Sequence, residues 1–275
     1  MKPLLIAATV FSASHIAAVR GQGTETGIIQ GVVIREGTTE PIPNVQITVA
    51  RWGTLATTGF TVQSSDCGRS IDSRIEVFLL LKLFQAGERV LRQKARELAP
   101  EEITSDEIQR LILLMHDTLR VAPGVGLAAP QIGESIQLAI IEDLPEYGRN
   151  LTAEQIAERE RESIPFHAII NPKLTPMGEP DVEFFEGCLS LTGFTALVPR
   201  YRSVHVECLD AQGMPRTIDA TGWYARILQH EIDHLNGGLY VDRMYSRTFM
   251  SVDNYTRRWK DMSIRELKSE LMEGT

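Results

Sequence analysis

The stretch RILQHEIDHLNG, residues 226–237, carries His230, Glu231 and His234 in the pattern HExxH. On a helix of 3.6 residues per turn, side chains four apart stand one above the other, so both imidazoles aim at one point and can share a divalent ion. Glu231 projects beside them, within reach of a water held by such an ion, and its carboxylate is a base for that water's proton. Two imidazoles do not complete a site. Zinc peptidases of this pattern find a third ligand downstream. Here no histidine follows His234, and Asp242 and Asp253 have no suitable setting.

A third donor is available upstream. EGCLS, 186–190, holds Cys188 behind Gly187 and just after the apolar VEFF. A buried cysteine is often inert core, but one in a short polar turn is also a thiolate ligand, and the context favours the ligand. A further stretch, GVGLAAPQIG at 124–133, combines Gly124 and Gly126, which permit close backbone approach, with Ala128, Ala129 and the amide donor of Gln131. Taken alone, that stretch reads equally well as a Gly/Pro turn between a helix and a strand.

The elements that must position these residues can be read from periodicity. Ile108, Leu111, Ile112, Met115 and Leu119 follow helical spacing behind a capping box of Thr104 and Glu107, and Pro123 and Gly124 end the pattern. VFLLLKLF is an apolar run with the character of a buried strand. FHAIINPKL and RSVHVECLDAQGMPRTIDA read as strands, the second broken by a turn at Ala-Gln-Gly-Met. The charged 142–164 segment reads as a solvated loop with a short helix. Helical spacing returns from Trp223 and stops at Asn236-Gly237-Gly238. A last charged helix is expected over roughly 262–273.

Together GVGLAAPQ, EGCLS and QHEIDHLNG resemble the three signature motifs of peptide deformylases, in that family's order and spacing. The similarity runs from FQAGERVLR (84–92) through GLYVDRMYSRTF (238–249). The resemblance implies an α+β fold in which antiparallel β-sheets wrap a central HExxH helix. It implies that Cys188, His230 and His234 ligate one divalent ion, most often Fe2+, with Zn2+, Ni2+ or Co2+ able to take its place. Glu231 would be the general base and then the acid, while the Gln131 side-chain amide and the Leu189 backbone N–H hold the oxyanion. The implied reaction removes the formyl group from N-formylmethionyl peptides and releases formate. Gly124, Val125, Gly126 and Gly187 fall where the family binds peptide backbone. Trp223 and Ile227 share the helix face of His230 and are either lining for the methionine side chain or plain core. Arg89 stands where the family usually has proline. Thr195 replaces an arginine that many bacterial members carry near the peptide path. A subgroup that includes organellar enzymes differs there too, and resembles this chain in the GW before the helix and the SRTF after it.

Composition limits the alternatives. At 275 residues, 43% hydrophobic and 23% charged, the chain can bury a large core. A net charge of −8 argues against a broad or sequence-specific nucleic-acid surface. Three cysteines are too few for a disulfide framework. No segment beyond the leader is apolar enough to cross a bilayer. The expected organisation is a signal-like leader (1–21), a partial β-sandwich-like segment (22–65), a junction (66–83), the catalytic domain (84–258) and a C-terminal helix (259–275). The second of these resembles the opening strands of a carboxypeptidase regulatory-like sandwich, but is too short to complete seven strands. The enzyme is expected to be a cytoplasmic monomer, or exported if the leader is a true signal. The ribosome exit region is a candidate partner, with Arg257, Arg258 and Lys260 as candidate contacts. Two rivals are weighed against this reading. A secreted binding module with a decayed catalytic half would have lost one of the named residues. A metallopeptidase would need a downstream ligand.

Overall fold

A computed structural model describes residues 80–149 and 151–273 and, as backbone only, five short strands before them. Of those five, β1 (Ile6–Ala7), β2 (Ala17–Arg20) and β3 (Ile28–Gly31) form a sheet in the order β1-β3-β2. β4 (Val45–Val49) pairs antiparallel with β5 (Phe60–Ser64). Three of these strands, β3, β4 and β5, fall within the 22–65 stretch expected to be β-structure. The rest of the expected leader and junction, up to residue 79, lies outside the described residues.

The chain divides into two units, one of residues 1–82 with 105–121, the other of 83–104 with 122–275. In the first, the Leu81 N–H donates to the Thr118 hydroxyl (2.9 Å), which in turn donates to the Leu114 carbonyl (2.7 Å). The described part of VFLLLKLF, 80–84, forms no regular strand; Leu81 takes part in a single bridge. The helix expected at 108–119 is present. In the second unit α1 (Pro100–Ile103) closes on Thr104, and α2 (Asp106–Val121), in the first unit, begins two residues on. The expected capping box of Thr104 and Glu107 is not formed. Thr104 is occupied in ending α1, and the Ser105 hydroxyl caps α2 instead by accepting from the Ile108 N–H (3.3 Å).

The second unit carries the site. β6 (Gly126–Ala128), β7 (Leu138–Asp143), β8 (Ile164–Met177), β11 (Ser203–Leu209) and β12 (Pro215–Thr221) make one antiparallel sheet, ordered β12-β11-β8-β7-β6. A smaller sheet has the order β13-β10-β9, from β9 (Val182–Glu186), β10 (Phe194–Arg200) and β13 (Met250–Ser251). Strand alternation explains the larger sheet: Val204, Val206 and Cys208 are buried on one face of β11, while His205 and Glu207 face the other way. A Met214–Asp210 turn joins β11 to β12 where the sequence predicts one, and α3 (Ala153–Glu158) is the short helix of the charged loop.

The helix α4 (Gly222–Leu235) lies between the two sheets. Ala225, Leu228, Ile232 and Leu235 pack into the core of the larger sheet with Ala139, Ile141, Val204 and Ile218. Each leucine, isoleucine and valine among them, fully buried, contributes about 1.5–3 kcal/mol, and the alanines less. Turned toward the smaller sheet, Arg226 donates to the carbonyls of Val198 (3.1 Å) and Val182 (2.6 Å). The helix stops because Gly237 takes φ +79°, letting its N–H reach His234 O (3.1 Å) and the Gly238 N–H reach Asp233 O (2.7 Å). After β13 comes α5 (Val252–Arg258), which sequence reasoning did not mark; the helix expected over roughly 262–273 is present as α6 (Ile264–Lys268) with a final turn to Glu273. No helix among the described residues is long and apolar enough to cross a membrane.

Candidate metal centre

Three distant segments bring their donors to one point. His230 and His234 stand one turn apart on α4, with ring centroids 5.0 Å apart. Cys188 lies two residues beyond β9 in a turn closed by the Leu191 N–H on the Cys188 carbonyl (3.0 Å). Its Sγ is 3.2 Å from His234 Nε2, and one donor atom from each of the three residues lies within 4.8 Å of the others. A thiolate with two imidazoles is a set that several divalent transition metals accept. Asp242, the downstream carboxylate a peptidase would need, is engaged elsewhere. It binds Arg92 (2.5 Å) and accepts from the Leu239 N–H (2.8 Å).

Glu231 sits beside this set, 4% exposed, and its Oε2 has no hydrogen-bond partner. Burial pushes its carboxyl up to about 7, only partly offset by the charge of His230. A buried carboxylate oxygen without a partner, next to three converging donors, fits a residue that handles a proton of a guest in the cleft. The residues present therefore fit a divalent ion. Gly126 makes the room: a Cβ there would overlap the Glu231 carboxyl group.

Gln131 reaches the same point from a turn at Ala129–Ile132. Its Oε1 accepts from the Ala128 N–H (2.8 Å), so its amide nitrogen is turned toward the Ser190 hydroxyl (3.3 Å) and Cys188 Sγ (3.5 Å). Leu189 lies in the turn next to Cys188. Because the Cys188 carbonyl is taken by Leu191, the same trans peptide directs the Leu189 N–H the opposite way. A cleft of about 560 Å³ is lined by Gly124, Val125, Gly126, Gln131, Gly187, Cys188, Leu189, Trp223, Ile227, His230 and Glu231. His234 is the one expected site residue outside that lining; it is buried behind Cys188. Trp223 and Ile227 serve both readings, since each borders the cleft and also packs in the core. Trp223 is held by its indole N–H on Asp143 (3.1 Å), a buried carboxylate also gripped by Arg161 (2.9 and 2.7 Å). Thr195 does not border the cleft; it is buried and its hydroxyl donates to the Glu186 carbonyl (2.8 Å).

The residues that sequence reasoning passed over lie behind the ligands. Glu186, buried at the end of β9, accepts from His230 Nδ1 (2.9 Å), twice from Arg200 (2.9 and 2.9 Å) and from Arg226 (2.6 Å). Burial alone would raise its carboxyl, but the charge and hydrogen bonds of Arg200, with those of His230, outweigh it and hold it far below the usual range. Arg200 extends the network to Asp233 (2.6 Å), which Arg243 also grips (2.7 and 2.7 Å). Arg226 was legible, as a charge one turn before His230 on the same helix face. Glu186 was visible as the acid two places before Cys188. Nothing local in the sequence marks Arg200.

A model of the polypeptide deformylase family matches residues 80–249. The chain is 47% identical over 175 residues to the chloroplastic/mitochondrial peptide deformylase 1A of Arabidopsis thaliana, covering 64% of this chain and 65% of that protein. It thus spans just under two thirds of that relative. It is 41% identical over 169 residues to the mitochondrial peptide deformylase of Homo sapiens, covering 61% of this chain and 69% of the relative. Among solved structures, a Met-Ala-Ser-bound class I type b peptide deformylase from Acinetobacter baumannii matches with a TM-score of 0.54 at 30% identity, over 61% of this chain and 99% of that one.

Proposed function

The chain belongs to the polypeptide deformylase family, and from that premise we propose that it hydrolyses the N-terminal formyl group of formylmethionyl peptides, releasing formate. The observation that carries this reading is the meeting of Cys188 Sγ with the two imidazoles of the HExxH helix, beside a buried Glu231. Cys188, His230 and His234 would hold the ion, with Fe2+ the first candidate and Zn2+, Ni2+ or Co2+ as substitutes. When bound, it supplies Lewis acidity toward the formyl oxygen and the attacking water.

The side chains divide the remaining work. Glu231 takes a proton from the water as its oxygen bonds to the formyl carbon. The negative charge that develops on the former carbonyl oxygen is met by the Gln131 amide and the Leu189 N–H, donors of a kind worth about 3–4 kcal/mol each. Glu231 then passes the proton to the nitrogen, the carbon–nitrogen bond breaks, and formate and a free amine leave. Among the described residues β6 has a strand neighbour on one side only, which supports peptide pairing along its outer edge and the Gly124–Gly126 segment that leads into it. A formyl carbon bears only hydrogen, so a narrow cleft admits it and refuses bulkier acyl groups. The peptide in the Acinetobacter structure supports a Met-Ala-Ser product in such a cleft.

The enzyme works where formylated chains are made. The organellar names of the Arabidopsis and human relatives support a translating organelle alongside the cytoplasm expected from the sequence. Formyl-Met-Ala-Ser offered with and without chelator is the test. Chelator-sensitive release of formate is expected. Cleavage of internal peptide bonds with no action on the formyl group would replace this reading with a peptidase.

A further inference from the structure

Phe194 and Phe249 stack with ring centroids 5.1 Å apart and planes 10° from parallel, yet remain 43% and 38% exposed. Val252, 44% exposed, is tied beside them: its N–H donates to the Gly193 carbonyl (2.9 Å), and Ser251 pairs with Phe194 across β10 and β13. Among the described residues seven large apolar side chains are exposed, and these three of the seven gather at one place. Apolar surface left open in a cluster marks a binding face more often than scattered apolar residues do.

The cluster is continuous with the site. Phe194 and Val252 line the same cleft as Cys188 and His230. Between Cys188 and this corner the wall is Leu189, Leu191, Thr192 and Gly193, with no charged side chain. At the next position Thr195 turns inward, so β10 presents an aromatic ring to the cleft and no polar group. Val252 lies beyond the 80–249 span that the family model matches, so this corner is completed by a part of the chain outside that span. A peptide extended along β6 advances about 3.3 Å per residue and turns successive side chains to opposite sides. A cleft of about 560 Å³ has room for more than the formylmethionine.

Resting on the deformylase reading above, we propose that Phe194, Phe249 and Val252 form an apolar shelf that selects an aromatic or aliphatic side chain within the two residues after the formylmethionine. The occupant is the downstream part of the substrate peptide, and the contact sets specificity.

The test uses the full chain loaded with metal and two peptide series, formyl-Met-Xaa-Ser and formyl-Met-Ala-Xaa, with Xaa as Phe, Leu, Ala, Asp or Lys. In one series kcat/KM for Phe or Leu should exceed that for Asp by about tenfold, the discrimination an apolar pocket typically achieves, with most of the difference in KM. Phe194→Ser and, independently, Val252→Ser should shrink the ratio below about threefold, and Phe194→Leu should restore part of it. Equal rates across both series in the unaltered protein, or an unchanged ratio in both serine variants, would overturn the shelf. Turnover of formyl-Met-Ala-Ser with flat preferences defeats the shelf alone. No turnover of any formylated peptide defeats the deformylase reading and the shelf with it.

Discussion

Nδ1 of His230 lies 2.9 Å from Oε2 of Glu186, and that carboxylate is itself held by Arg200 and Arg226 inside the protein. The contact fixes which imidazole nitrogen remains for an ion and which way the ring faces, so Glu186 is a positioning residue for the ligand set.

Glu186→Gln keeps the shape but removes the charge. Metal affinity is expected to fall about 10- to 100-fold, as for other carboxylates behind a metal-binding histidine. The variant also leaves two buried guanidinium groups underpaired, which should cost about 3–5 kcal/mol of stability. Chelator competition reads the first effect and urea unfolding of the metal-free protein reads the second. Unchanged affinity would mean the contact is structural only.

Cys188→Ala and Glu231→Gln should fail in opposite ways. The first removes a donor, so the purified protein should carry little metal and lose activity with it. The second should keep its metal while turnover drops at least about 100-fold, the usual scale for a lost general base. Metal content by elemental analysis, set beside formate release, separates them. Full occupancy in Cys188→Ala would place the third donor elsewhere.

Much of this site was legible because its chemistry is tied to local spacing. HExxH on a capped helix, a cysteine in a polar turn and a Gly-Ala stretch each have a pattern that one sequence displays. The strand alternation of β11 and the stop at Gly237 are equally local. The capping of α2 was misread by one residue because Thr104 and Ser105 are both N-cap residue types and the Glu107 spacing favours Thr104, whereas α1 ends on Thr104 and the Ser105 hydroxyl takes the Ile108 N–H. Arg200 was invisible for a different reason. It meets Asp233 on α4, 33 positions away in the chain, through folding alone. The aromatic corner was equally hidden, since Phe194 and Phe249 acquire a common surface only when β13 pairs with β10.

Gly126→Ala tests how closely the strand edge and the base are matched. The added Cβ would fall on the Glu231 carboxyl group, and that group is boxed in by burial on α4. A displacement on the order of 1 Å typically costs about 100-fold in rate. Turnover should fall by that order while metal content and melting temperature change little. A variant with normal kcat would show that the carboxylate moves aside at no cost.

Asp242 offers a pH-dependent measurement away from the ligands. Burial would raise its carboxyl, but the Leu239 N–H and Arg92 together outweigh it and lower it below its ordinary 3.8. A lowered folded value means that the stabilisation is fully present above the unfolded value and is lost as pH falls through the folded one. Asp242→Asn keeps an oxygen for the Leu239 N–H but loses the attraction to Arg92. Both partners are 45% exposed, so solvent screening holds that attraction to about 0.5–1 kcal/mol. Urea midpoints of the two proteins should therefore differ by a constant amount between about pH 5 and 7. They should converge as the pH drops below about 4. Added salt should narrow the gap at neutral pH. A gap that widens with acid would mean that the carboxyl is raised in the folded protein, and that burial outweighs Arg92.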